Sequence, residues 1–157
     1  MSAHPKRKKK EFSLTTRMRN IAVLKSVSKA LIPVILLFAL YVQFHGDSGP
    51  GGGFQAGVIF AAGIILYGLM FGLDAAFRVY SPKAVESSMA LGLLLFGGTG
   101  VVGMLLGGTF LDYGVLDAHD PRHGQHLGIL LVELGVGLTV TAAMTMIFYR
   151  FADRWHR

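Results

Sequence analysis

Cysteine is absent from this 157-residue chain, so disulfides and thiolate metal sites are excluded outright. Charge is also scarce. Asp, Glu, Lys and Arg make up 15% of the residues, against roughly a quarter in an ordinary soluble domain. Hydrophobic residues reach 52%, which leaves too little polar surface to cover a water-soluble fold. No Lys-Ser/Thr pair follows the Gly-rich stretch near residue 50, so a phosphate-cradling loop is disfavoured. No small-x-small site follows the first apolar run at "YVQFHGDSG", which favours a retained helix over a cleaved signal peptide. Nor does any grouping of nucleophile, base and oxyanion donors emerge. The chain reads as no enzyme, with no catalytic residues and no cofactor.

What is present is long apolar runs. Four approach the roughly 20 residues that cross a bilayer, at about 25–44, 50–71, 86–110 and 125–151. The first is interrupted by Lys25, Lys29 and Pro33, and Lys29 can snorkel to the interface. The fold class expected is an all-α integral membrane protein with four transmembrane helices and glycine-rich packing. A basic tail over 1–24 precedes the four-helix domain at 25–151, and a short basic tail closes the chain at 152–157. Residues about 13–25 are expected to lie on the membrane as an amphipathic segment, with the first residues mobile.

The charge that exists is segregated. Nine of the fifteen Lys and Arg fall in the first 29 residues. A basic cluster directly before an apolar run favours a flank touching anionic lipid over nucleic-acid binding. Counted by loop, fourteen basic residues fall on one side and only Arg122 on the other. Basic loops stay cytoplasmic, so both termini are expected inside, with Tyr149 and Trp155 at the inner interface.

Between the first two runs stands "HGDSGPGGGFQAGV", residues 45–58. Glycine costs about 1 kcal/mol per helical position, and proline about 3. The stretch therefore reads as an outer hairpin, with Pro50 at the first helical position and Gly51, Gly52 and Gly53 in the first turn. Gly53 with Gly57, and Gly103 with Gly107, form GxxxG pairs. Such small surfaces let another helix approach closely in lipid, and they predict a chain that is not stable alone.

These residues carry a resemblance. "Tyr41-Val-Gln-Phe-His-Gly-Asp-Ser-Gly-Pro-Gly-Gly-Gly-Phe-Gln-Ala-Gly" resembles the signature of the B-type subunits of Mrp/Mnh multisubunit cation/proton antiporters, with His45, Gly46, Pro50, Phe54 and Gln55 in it. "Gln125-His-Leu-Gly-Ile-Leu-Leu-Val-Glu-Leu-Gly-Val-Gly-Leu-Thr-Val" is similar to that family's carboxy-terminal motif. The resemblance covers about residues 24–151. It implies a subunit of a monovalent cation (Na+)/proton antiporter in a bacterial or archaeal cell membrane. Its partners would be the other subunits, membrane lipids, monovalent cations and protons. Related subunits occur in membrane-bound hydrogenase complexes, so a purely structural subunit of such a complex is the alternative.

Glu133 is the candidate for chemistry. A carboxylate inside a membrane helix costs about 2.5–3.5 kcal/mol on insertion scales. At 100° per residue His126, Gly137 and Met144 share its face, which suggests an ion waypoint at Glu133 with His126 at the entrance. The competing reading is a protonated Glu133 that bonds a neighbouring helix, and a His126 that bonds loop or water. Asp47 either caps the second helix or attracts cations. Gln55 is expected to bond an adjacent helix or another subunit. Asp74, Arg78 and Lys83 read as inner-loop charges. Asp117, His119, Asp120, His123 and His126 have the composition of a weak metal site. Their spacing fits no tight ligand set, so no metal is assigned and the stretch reads as a solvated acidic loop. Phe and Met at helical spacing read as packing rather than a quinone box.

Overall fold

The computed structural model describes the backbone of residues 5–46 and 50–155, and the side chains of 22–46 and 50–153. Helix α1 spans Pro5–Gln43, α2 Gly53–Phe71, α3 Leu73–Val79, α4 Pro82–Leu105 and α5 Pro121–Trp155. A single 3₁₀ turn, Tyr113–Leu116, lies in the loop between α4 and α5. Four of the helices carry segments long and apolar enough to cross a membrane: Ala22–Gln43, Gly53–Phe71, Pro82–Leu105 and Pro121–Asp153. The protein is an all-helical, four-span membrane protein.

Several boundaries differ from those expected. The chain does not turn near residue 25; α1 is one helix of 39 residues that contains Pro33. The 72–85 loop holds a helix of its own, α3, with Asp74 in its first turn and Arg78 in its last. Arg78 Nε donates to the Asp74 carbonyl at 3.4 Å. Helix α5 begins four residues before the apolar run does, because Asp120 and Pro121 start it. The Asp120 carboxylate accepts from the N–H of Arg122 at 3.0 Å and of His123 at 3.4 Å.

The glycine hairpin also folds differently. Pro50, Gly51 and Gly52 are not helical, and α2 starts at Gly53. The reason is Gly52, whose φ of 119° lies where only glycine is at ease. There its N–H turns back to donate to the Val42 carbonyl at 3.2 Å. Residues 50–52 thus close over the end of α1 instead of opening α2.

The spanning helices pack side by side in the order α1–α2–α5–α4, and α1 has no comparable packing on α4. The interfaces are built from small residues. Among the described residues, Val85 and Thr145 are the largest side chains that are fully buried. The main apolar cluster, Ala76, Val85, Ala142 and Tyr149, joins α3, α4 and α5 at the end away from the hairpin. Tyr149 is buried there, with its hydroxyl 2.9 Å from the Tyr80 carbonyl and its ring edge-on to Phe77. It belongs to the packed interior, while the Trp155 side chain lies outside the described residues. The outward faces remain apolar, Leu94 being 71% and Leu105 80% exposed. That is a surface for lipid or for other helices, not for water.

Candidate functional site

Glu133 stands twelve residues into α5, about 18 Å from its start at 1.5 Å per residue. It lies at the level of the glycine hairpin. A Cβ placed on Gly53 would strike the Glu133 backbone, at 2.8 Å from its carbonyl carbon and 3.0 Å from its Cα. A Cβ on Gly46 would fall 2.7 Å from the carboxyl carbon, and one on Gly52 3.0 Å from Oε1. Three glycines of the hairpin therefore surround this one residue. The two sequence motifs that carry the resemblance meet here.

Just below Glu133, toward α3, the floor is again glycine. A Cβ on Gly57 would lie 2.7 Å from the Gly137 carbonyl oxygen, and one on Gly137 would lie 2.5 Å from Gln43 Oε1. The Thr141 hydroxyl is shared between the Gly137 carbonyl at 2.7 Å and the Gly57 carbonyl at 3.2 Å. This bond ties α5 to α2. The buried polar ridge of α5 then follows every fourth residue, through Gly137, Thr141, Thr145 and Tyr149. The stripe expected from His126 through Glu133 to Met144 does not share one environment. His126 and Met144 are exposed, Glu133 is half-buried and Gly137 is buried.

The other candidates fall as follows. His45 is exposed in the turn after α1, its ring stacked on Tyr41 at 4.4 Å with Nε2 3.3 Å from the tyrosine hydroxyl. Phe54 and Gln55 are exposed at the start of α2. Asp47 lies outside the described residues, and the N-cap of α2 is Gly52, without a side-chain bond. Within this chain Gly103 and Gly107 meet no other spanning helix. Gly103 meets the Asp112 carbonyl of its own following loop, and Gly107 lies past the end of α4 at φ 94° with nothing within 4 Å. The cause is the helix stopping at Leu105, short of the second glycine.

The acidic loop is organised around Asp117 rather than open to solvent throughout. Its carboxylate accepts from the N–H of His119 at 3.0 Å and of Asp120 at 3.2 Å, and lies 2.9 Å from His123 Nδ1. The His119 N–H first, then the His123 ring and the Asp120 N–H, hold its pKa below the usual 3.8. No three His, Asp or Glu side chains among the described residues come together as a metal would need.

Sequence reasoning missed Gln43 and Thr145. Both are buried, and neither Gln43 Nε2 nor Thr145 Oγ1 meets a hydrogen-bond partner among the described residues. Nothing in a string of uncharged polar residues marks such burial.

With the geometry in hand, known proteins are informative. The family described as "Domain related to MnhB subunit of Na+/H+ antiporter" matches residues 23–146. A Staphylococcus haemolyticus protein named "Putative antiporter subunit mnhB2" is 32% identical over 135 residues, 80% of this chain and 95% of its own length. Its namesake in Staphylococcus epidermidis strain ATCC 12228 is 35% identical over the same shares of the two chains. That of Staphylococcus aureus strain Newman is 34% identical over 134 residues, 81% of this chain and 94% of its own.

Proposed function

The chain belongs to the MnhB family of antiporter subunits, and from that premise we propose that Glu133 is an ion waypoint within a multisubunit Na+/H+ antiporter. The protein is a multi-pass cell-membrane subunit of such an antiporter, with other subunits as its partners. The relatives' names favour this reading over a structural subunit of a hydrogenase-type complex. Its contribution is non-catalytic: it makes and breaks no covalent bonds, and it handles monovalent cations or protons among membrane lipids.

The observation that supports the waypoint is the convergence of Gly46, Gly52 and Gly53 on one carboxylate. A charged group at depth is tolerated where protein or water meets it. Glycine backbone, bare of side chains, lets polar groups reach the carboxyl from the hairpin while leaving it partly exposed. His126 stands about 10 Å nearer the start of α5, exposed and apart from the glycines that surround Glu133. A carboxyl that only tied the hairpin to α5 would need its hydrogen bonds but not its charge.

Glu133→Gln separates these roles. It keeps size and hydrogen bonding but removes the charge and the exchangeable acid proton. Cation/proton exchange in vesicles, normalised to intact complex, is expected to fall at least tenfold, with Glu133→Asp recovering part of it. Full exchange in Glu133→Gln at every pH would overturn the waypoint and leave a structural tie.

A further inference from the structure

Gln55 stands in the first turn of α2, just past the glycines of the hairpin. It is exposed, whereas Gly52 is buried and Glu133 half-buried. The bare α-carbon of Gly52 looks at both side chains. A Cβ built there would meet Glu133 Oε1 at 3.0 Å and Gln55 Oε1 at 3.7 Å. The two oxygens are therefore at most about 7 Å apart, across a place where residue 52 contributes no side chain. We propose that Gln55 is a second ligand for the transported cation, which binds between Gln55 Oε1 and the Glu133 carboxylate over Gly52.

The chemistry of the pair fits that ion. Hard cations take carboxylate and carbonyl oxygens as ligands. Glu133 supplies one negative charge and Gln55 a neutral oxygen, so together they balance a single positive charge and leave a divalent ion half compensated. A carboxylate has about four acceptor positions, so a bond from elsewhere to Glu133 leaves room for the cation. The amide also has a use when the cation has gone. Turned over, its NH2 group donates to the carboxylate, so the charge at depth is met by a polar group in both states. The inference rests on Glu133 being an ion waypoint, and adds the residue that sets cation affinity there. Because Gln55 is exposed, its replacement disturbs no packing within this chain.

The test measures Na+-driven proton movement by the intact complex in membrane vesicles, as KM for Na+ and maximum rate. Gln55→Leu removes the oxygen at similar size. It is expected to raise KM about tenfold, the scale of losing one polar partner to a charge, with maximum rate and recovery of the complex unchanged. Gln55→Glu returns an oxygen and is expected to bring KM back to the native value or below it. An unchanged KM in Gln55→Leu would overturn the proposal, as would a KM that Gln55→Glu leaves raised. A fall in maximum rate and complex recovery at constant KM would also overturn it, and would make Gln55 a contact with another subunit. If Gln55→Leu leaves KM unchanged while Glu133→Gln abolishes exchange, the second ligand falls and the waypoint stands. Full exchange in Glu133→Gln removes both.

Discussion

Glycine residues that look alike in the sequence have different surroundings. Gly57 sits where α2 and α5 touch, with the Gly137 carbonyl oxygen 2.7 Å and Val140 Cβ 2.9 Å from where its Cβ would be. Gly98 has nothing within 4 Å. Gly57→Leu is therefore expected to destabilise the protein by at least about 1–3 kcal/mol, the usual cost of overpacking. Gly98→Leu meets no other helix of this chain and is expected to leave its packing unchanged. Thermal stability of the purified intact complex distinguishes the two. Loss in neither variant would mean that α2 and α5 do not meet at Gly57. The glycine run in 51–57 was legible as a place for close approach. Its partner was not, because spacing along one helix says nothing about which helix covers it. Glu133 stood out as a carboxylate in an apolar run, whereas Gln43 did not, since an amide at a helix end is unremarkable until it is buried.

Helix α5 illustrates how an element's start is decided. Asp120 caps it through the N–H groups of Arg122 and His123, and Pro121 occupies the first helical position, where no N–H is needed. Asp120→Ala is expected to cost about 1 kcal/mol, read as faster amide exchange in residues 122–124 with the rest of α5 unaffected. Equal exchange in both proteins would show that the cap does not hold the helix. Asp117 adds a pH dependence. Its folded pKa is depressed by the His119 N–H, then by His123 and the Asp120 N–H. A depressed acid stabilises above its unfolded pKa, and that contribution disappears as pH falls through the folded value. The loop is thus expected to hold steady from neutral pH down to the usual aspartate range and to loosen only below it. Amide exchange at His119 and Asp120, compared with an Asp117→Asn variant across pH, reads this directly. Loosening already near neutral pH would assign the change to another group. The Asp-Pro pair that starts α5 is a readable signal, but hydropathy alone placed the start at 125 because the first turn is polar.

At the scale of the molecule, the four spans are unequal. Helix α5 has 35 residues and α2 has 19, and α2 begins beside Glu133. The α1–α2 hairpin therefore ends about 18 Å short of the start of α5. Charge predicts which end faces the cytoplasm: fourteen of the fifteen basic residues lie toward the termini and the 72–85 loop. A thiol reagent that cannot cross the membrane is expected to label Ala118→Cys from outside and to miss Arg154→Cys. The absence of native cysteine keeps the background clean. The reverse labelling would invert the orientation.

By itself, the sequence determined that the chain is a helical membrane protein with four spans. That follows from the length of its apolar runs, because any backbone in lipid must satisfy its hydrogen bonds within the segment. It also determined which residue is costly at depth, since charge is visible residue by residue. Only the tertiary structure decided that Gly46, Gly52 and Gly53 gather around Glu133. It alone buried Gln43 and Thr145, made α3 from a loop, and moved the start of α2 to Gly53. Contacts between residues some eighty positions apart depend on which small-residue faces fit one another, and hydropathy and local spacing carry no record of that fit.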